Sequence, residues 1–191
     1  MPDGSLTSRP TAPGLLSLPN IITLGRLCAV PMAVWMVLHG LFLSAFWLFA
    51  AAGVSDALDG YLARRMGTSR LGALLDPAAD KALLVSMYVT LSVVQAVPDW
   101  LAILVVFRDI VIVGGLLVLW ITDHDVPIRP LRISKVNTVQ QIVLIGTALL
   151  AMGHAPGLGP LPATIVAGLV WAVAASTFAS GAAYVWTASR T

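Results

Sequence analysis

Long apolar runs separated by short polar interruptions organise this chain. The first opens at Pro19-Asn20 and continues to about residue 38, with Pro31 as a site for a kink. A turn near Gly40 leads to a second run, from about Leu41 to Met66, which begins fully apolar and ends with Asp56, Asp59, Arg64 and Arg65. Gly67 and Thr68 form a tight loop, and a third run covers about Leu71 to Ala96 with its aspartates at the start. Pro98 opens a fourth, to about Ile121, which carries Arg108 and Asp109. A polar loop with two prolines, DHDVPIRPLR, precedes a fifth run over about Ile133 to Met152. The turn GHAPGLGPLP precedes a sixth over about Ala163 to Trp186. Runs of this length suit membrane helices of about 20 residues, whereas a spanning strand needs only about 10. The pattern predicts an all-α integral membrane protein with six transmembrane helices in one bundle, residues 19–191, after an interfacial tail of 18 residues.

Composition agrees. The 191 residues are 58% hydrophobic and 10% charged, with mean hydropathy +0.90, where a soluble domain carries about a quarter charged residues. The single cysteine, Cys28, forms no internal disulfide and leaves the redox compartment open. The tail leads into no short apolar core with a cleavage site and has only Arg9 as a basic residue, so neither a signal nor a transit peptide is expected. The basic residues fall in the tail, at Arg64, Arg65 and Arg70, at Arg129, Arg132 and Lys135, and at Arg190, while the other three turns have none. By the positive-inside rule both termini and the second–third and fourth–fifth loops are cytoplasmic. Trp35, Trp47, Trp100, Trp120, Trp171 and Trp186 fall mostly near span ends, as an aromatic belt does.

The chemistry concentrates between Asp56 and Asp80. A charge at membrane depth is expensive and is a functional hypothesis by default. Asp56 and Asp59 are three apart, and Asp76 and Asp80 four apart, so each pair shares a helix face, about 4.5 and 6 Å along the axis. Carboxylates crowded in poor hydration either stay partly protonated or bind a cation. Hard divalent cations with phosphate oxygens suit them, and the three histidines, spread over different turns, do not suggest zinc. Gly60 and Gly72 allow close approach, and Arg64 and Arg70 add positive charge, which together describes a diphosphate site. Simpler readings exist: aspartates paired structurally with Arg64 and Arg65, and glycines at ordinary helix contacts. Four buried charges are a high cost for structure alone.

The positions Asp56, Asp59, Gly60, Ala63, Arg64, Gly72, Asp76 and Asp80 spell D-x-x-D-G-x-x-A-R…G-x-x-x-D-x-x-x-D, which resembles the signature of the CDP-alcohol phosphatidyltransferases. One departure is that seven residues, Arg65 to Leu71, separate arginine from glycine where the family has eight or more. The missing residue falls in the predicted loop, and both helical faces keep their phase. The resemblance implies a six-helix homodimeric enzyme using two Mg²⁺ or Mn²⁺ ions. Asp56, Asp59, Asp76 and Asp80 would hold metal, and Asp80 would also be the general base. Gly60, Ala63, Arg64, Arg70 and Gly72 would contact the CDP part. The implied substrate is a CDP-lipid in the cytoplasmic membrane of a bacterium, with the site on the cytoplasmic side and no nucleic-acid partner.

Two further stretches, RDIVIVGG at 108–115 and ISKVNTVQQ at 133–141, resemble the cardiolipin synthases of that family, whose acceptor is phosphatidylglycerol. Phosphatidylglycerophosphate synthases, which use glycerol 3-phosphate, often have a second lysine where this chain has Asn137, and a dianionic monoester favours that extra charge. Arg108, Lys135 and Asn137 are therefore expected on the acceptor side. Lys135 can equally snorkel at a helix end. Arg108, some ten residues into a span, needs a partner, with Asp109 expected to point elsewhere. Asn20, Thr23 and Arg26 share a face of the first span, lining either a headgroup pocket or the interface. A small transporter or ion-binding bundle without chemistry is the alternative of a different class.

Overall fold

A computed structural model describes residues 18–66, 70–121, 132–153 and 163–188, with side chains described at 25–55, 81–112, 114, 134–153 and 163–182. The predicted tail and the polar loops 122–131 and 154–162 lie outside these. All described regular structure is helical: α1 (Leu18–Leu38), α2 (Phe42–Met66), α3 (Arg70–Val93), α4 (Asp99–Ile121), α5 (Arg132–Gly153) and α6 (Ala163–Ala188). The six predicted runs and the six helices agree to within a few residues, and α1 is continuous through Pro31.

The turns explain the boundaries. Gly40 has φ +74°, a left-handed conformation open to glycine at little cost. Its N–H bonds to Val37 O, and the Leu41 N–H reaches back to Met36 O at 2.8 Å, closing α1 as a Schellman motif. The end of α3 repeats this geometry without a glycine. Gln95 takes φ 58°, Gln95 N–H bonds to Ser92 O, and Ala96 N–H to Leu91 O at 2.9 Å. This stops α3 at Val93, where the apolar run predicts a helix to about Ala96.

Around the bundle the neighbours run α1, α2, α5, α6, α4, α3 and back to α1, and α3 also touches α5 across the middle. The centre is filled by Met87, Tyr88, Leu91, Leu101, Leu144 and Leu149, all fully buried. The outer faces are apolar too. On α4, Trp100, Ile103, Phe107 and Ile110 form an exposed stripe at helical spacing, and Trp47, Trp171 and Phe178 are each at least 65% exposed. A bundle apolar both inside and outside is unlike a soluble domain, which rarely exposes such patches. Among the described residues, Ser134–Gly153 and Ala163–Ala182 are long and apolar enough to cross a membrane.

At Gly153 the end of α5 meets the start of α2 so closely that an added Cβ would lie 3.1 Å from Leu43 N. Backbone gives way poorly, so Gly153→Ala is expected to cost about 1 kcal/mol and lower the melting temperature by roughly 2–4 °C. Gly168→Ala, with open space around it among the described residues, should leave the melting temperature unchanged or slightly raised. Equal shifts for the two would disprove the close contact.

Candidate functional site

The signature residues lie on two helices consecutive in the chain, with three residues between them. Asp56 and Asp59 are on α2, and Asp76 and Asp80 on α3. Asp56 lies ten residues before Met66 and Asp80 ten after Arg70, so both sit about 15 Å from the shared end. Asp59 and Asp76, seven and six residues in, sit about 10 Å from it. Along their own helices, all four aspartates thus lie within about 15 Å of the C-terminal end of α2 or the N-terminal end of α3. Gly60, Ala63, Arg64, Arg70 and Gly72 share these segments. The side chains of Asp56 to Asp80 lie outside the described ones. Among the described residues no group of three or more His, Cys, Asp or Glu could hold a metal. The donor set itself, four carboxylate residues on two helices consecutive in the chain, suits a hard divalent cation.

Immediately after Asp80 comes a charge network. Lys81 Nζ on α3 donates to both carboxylate oxygens of Asp109 on α4 at 2.8 Å. Arg108 Nη1 donates to Asp109 Oδ1 at 2.7 Å. Its other terminal nitrogen donates to Ser134 Oγ on α5 at 2.6 Å and to Ser180 Oγ on α6 at 2.8 Å. Arg108 and Asp109 are each 4% exposed, while the Lys81 side chain is 32% exposed. One node therefore ties together α3, α4, α5 and α6. The expectation that Asp109 points away from Arg108 is corrected here. Neighbours on a helix do not normally face each other, but the long arginine side chain curls back, and two cations share one buried carboxylate. A lone buried carboxylate would be costly, and this pairing offsets that cost.

Of the expected acceptor-side residues, Lys135 is exposed and Asn137 is fully buried. The Asn137 amide oxygen accepts from Ser176 Oγ at 2.7 Å and Thr177 Oγ1 at 2.9 Å, fastening α5 to α6. One helical turn on, Gln141 is also fully buried, and its carbonyl accepts from Tyr88 Oη at 3.4 Å. Among the described residues, Arg108 Nε, Asn137 Nδ2 and both amide atoms of Gln141 lack a hydrogen-bond partner. Arg26 on α1 is 3% exposed, so it faces the bundle rather than an interfacial stripe. Asn20 and Thr23 have side chains outside the described ones. Sequence reasoning missed Lys81, Ser134, Ser176, Thr177 and Ser180. Spacing offered a signal for two of them: Ser176 and Ser180 are a polar pair four apart inside an apolar helix.

Comparison with known proteins is consistent with the signature. A family model described as CDP-alcohol phosphatidyltransferase matches residues 16–180. The chain is 36% identical over 188 residues to the chloroplastic CDP-diacylglycerol–glycerol-3-phosphate 3-phosphatidyltransferase 1 of Oryza sativa subsp. japonica, covering 88% of this chain and 56% of that protein. It is 30% identical over 193 residues to a cardiolipin synthase (CMP-forming) / mitochondrial hydrolase fusion protein of Schizosaccharomyces pombe, covering 92% of this chain and 32% of that one. A cardiolipin synthase (CMP-forming) of Streptomyces coelicolor is 40% identical over 102 residues, 50% of this chain and 47% of the relative. The chain thus spans about half or less of the length of these relatives.

Proposed function

Because the chain belongs to the CDP-alcohol phosphatidyltransferase family, we propose that it transfers a phosphatidyl group from CDP-diacylglycerol to phosphatidylglycerol, giving cardiolipin and CMP. The observation that carries the reading is the set of four aspartates close, along their helices, to the end of α2 and the start of α3. Asp56, Asp59, Asp76 and Asp80 would hold two Mg²⁺ or Mn²⁺ ions. When bound, such ions neutralise charge developing on the diphosphate. Asp80 takes the proton from the acceptor hydroxyl. The freed oxygen attacks the lipid-side phosphorus, the bond from that phosphorus to the bridging oxygen breaks, and CMP leaves with that oxygen. Gly60, Ala63, Arg64, Arg70 and Gly72 seat the CDP part.

The protein works as a homodimer in the cytoplasmic membrane of a bacterium. It spans that membrane six times, with residues 1–18 as an interfacial tail, both ends in the cytoplasm and the aspartates facing it. The apolar outer faces support the membrane setting, and the placement of lysine and arginine supports the orientation.

The acceptor rests on the α5 side. Asn137 is neutral where a second lysine would suit a dianionic monoester, and the exposed Lys135 supplies positive charge there, with Arg108 buried behind it and paired with Asp109. The similarity to the rice protein favours a second reading, in which the acceptor is glycerol 3-phosphate. Purified protein supplied with CDP-diacylglycerol and one acceptor at a time separates the two. Metal-dependent CMP release with phosphatidylglycerol is expected. Product formed with glycerol 3-phosphate alone would establish the second reading, and no CMP with either would favour a bundle without chemistry.

A further inference from the structure

The ion pair between Lys81 and Asp109 lies one residue beyond the general base assigned above. Its geometry is specific: both carboxylate oxygens are engaged from one ammonium at 2.8 Å. Asp109 is in turn fixed by Arg108, which is held by hydroxyls from two further helices. The rotation of α3 about its own axis is thereby referred to α4, α5 and α6 at the level of Asp80. A helix that turned by about 20° would sweep a carboxylate on its surface through roughly 2 Å. Oxygen–metal distances tolerate only about 0.2 Å.

We propose that Lys81 and Asp109 are positioning residues for phosphatidyl transfer, setting the rotation of the α3 turn that presents Asp76 and Asp80. This rests on the function proposed above. Lys81 acts through the helix it sits on and not as a charge in the site. A cation acting only by charge would weaken divalent binding, so its removal would tighten it. A cation that positions the ligands does the opposite.

The test uses the purified full chain and three readouts: Mn²⁺ affinity by electron paramagnetic resonance, kcat and KM for CMP release, and melting temperature. Lys81→Met is expected to weaken Mn²⁺ binding and lower kcat, each by about 10–100-fold, with a smaller change in KM for CDP-diacylglycerol. Lys81→Arg, which can still reach Asp109, should recover most of both. Asp109→Asn is a second variant, nearly isosteric and still able to accept from Arg108, and it should show the same loss. Tighter Mn²⁺ binding in Lys81→Met, or unchanged binding with a lowered melting temperature, would overturn the proposal. So would variants indistinguishable from an active wild type. A wild type that neither binds Mn²⁺ nor releases CMP would instead overturn the function, and this inference with it.

Discussion

Asp80→Asn is expected to reduce CMP release by roughly a thousandfold or more while leaving the bundle folded. The substitution removes a general base, worth about 10²–10⁴-fold, and also neutralises one of four carboxylates proposed to hold divalent cations. Both losses act on the same step. The natural control is Asp99→Asn. Asp99 opens α4 at the opposite end of the bundle, where its carboxylate accepts from Ser92 Oγ, and its loss should leave CMP release intact. Release and melting temperature measured on both variants decide the matter. Substantial turnover by Asp80→Asn would remove Asp80 from the mechanism.

The second large effect is on stability. Arg108→Met removes a 4%-exposed guanidinium that contacts Asp109, Ser134 and Ser180. Removing one partner of a buried pair costs about 3–5 kcal/mol. Lys81 remains to share the Asp109 charge, so the lower end is expected, a fall of roughly 10 °C in melting temperature. Arg108→Lys should fall between the two. A single ammonium keeps the charge but cannot fork to a carboxylate and two hydroxyls on different helices. If Arg108→Met melts within 2 °C of wild type, the node is not what joins α4 to α5 and α6.

Much of the architecture could be read directly because membrane-length apolar runs, Gly and Pro turns and buried charges leave strong patterns. The aspartates gave themselves away by cost: few structural reasons exist for four of them in such runs. Their places near the end of α2 and the start of α3 follow from the helix bounds. Other features depend on information the one-dimensional pattern lacks. Gln95 is an ordinary residue whose φ of 58° is imposed by the turn into α4, so nothing marked the end of α3. The partnership of Arg108 with Asp109 contradicts the usual geometry of neighbouring helix positions and depends on how a long side chain folds back. Lys81 sits beside the most conspicuous residue in the chain, and its meaning emerges only once α4 is placed against α3. Asn137, expected on the acceptor side, holds α6 through two hydroxyls, a role invisible without knowing which helices touch.

The Arg108–Asp109 pair has a consequence for how the chain is made. Arg108 and Asp109 already meet within α4, so this helix brings its own ion pair, and its other partners come from elsewhere in the chain. Lys81 precedes Asp109 by 28 residues and is already synthesised when α4 emerges. Ser180 follows Arg108 by 72 residues and arrives only with the final helix. The carboxylate of Asp109 therefore has both its cations by the time α4 is made, whereas the guanidinium gains its hydroxyl partners only from α5 and α6. The four-helix node is thus complete only once the last helix has been made.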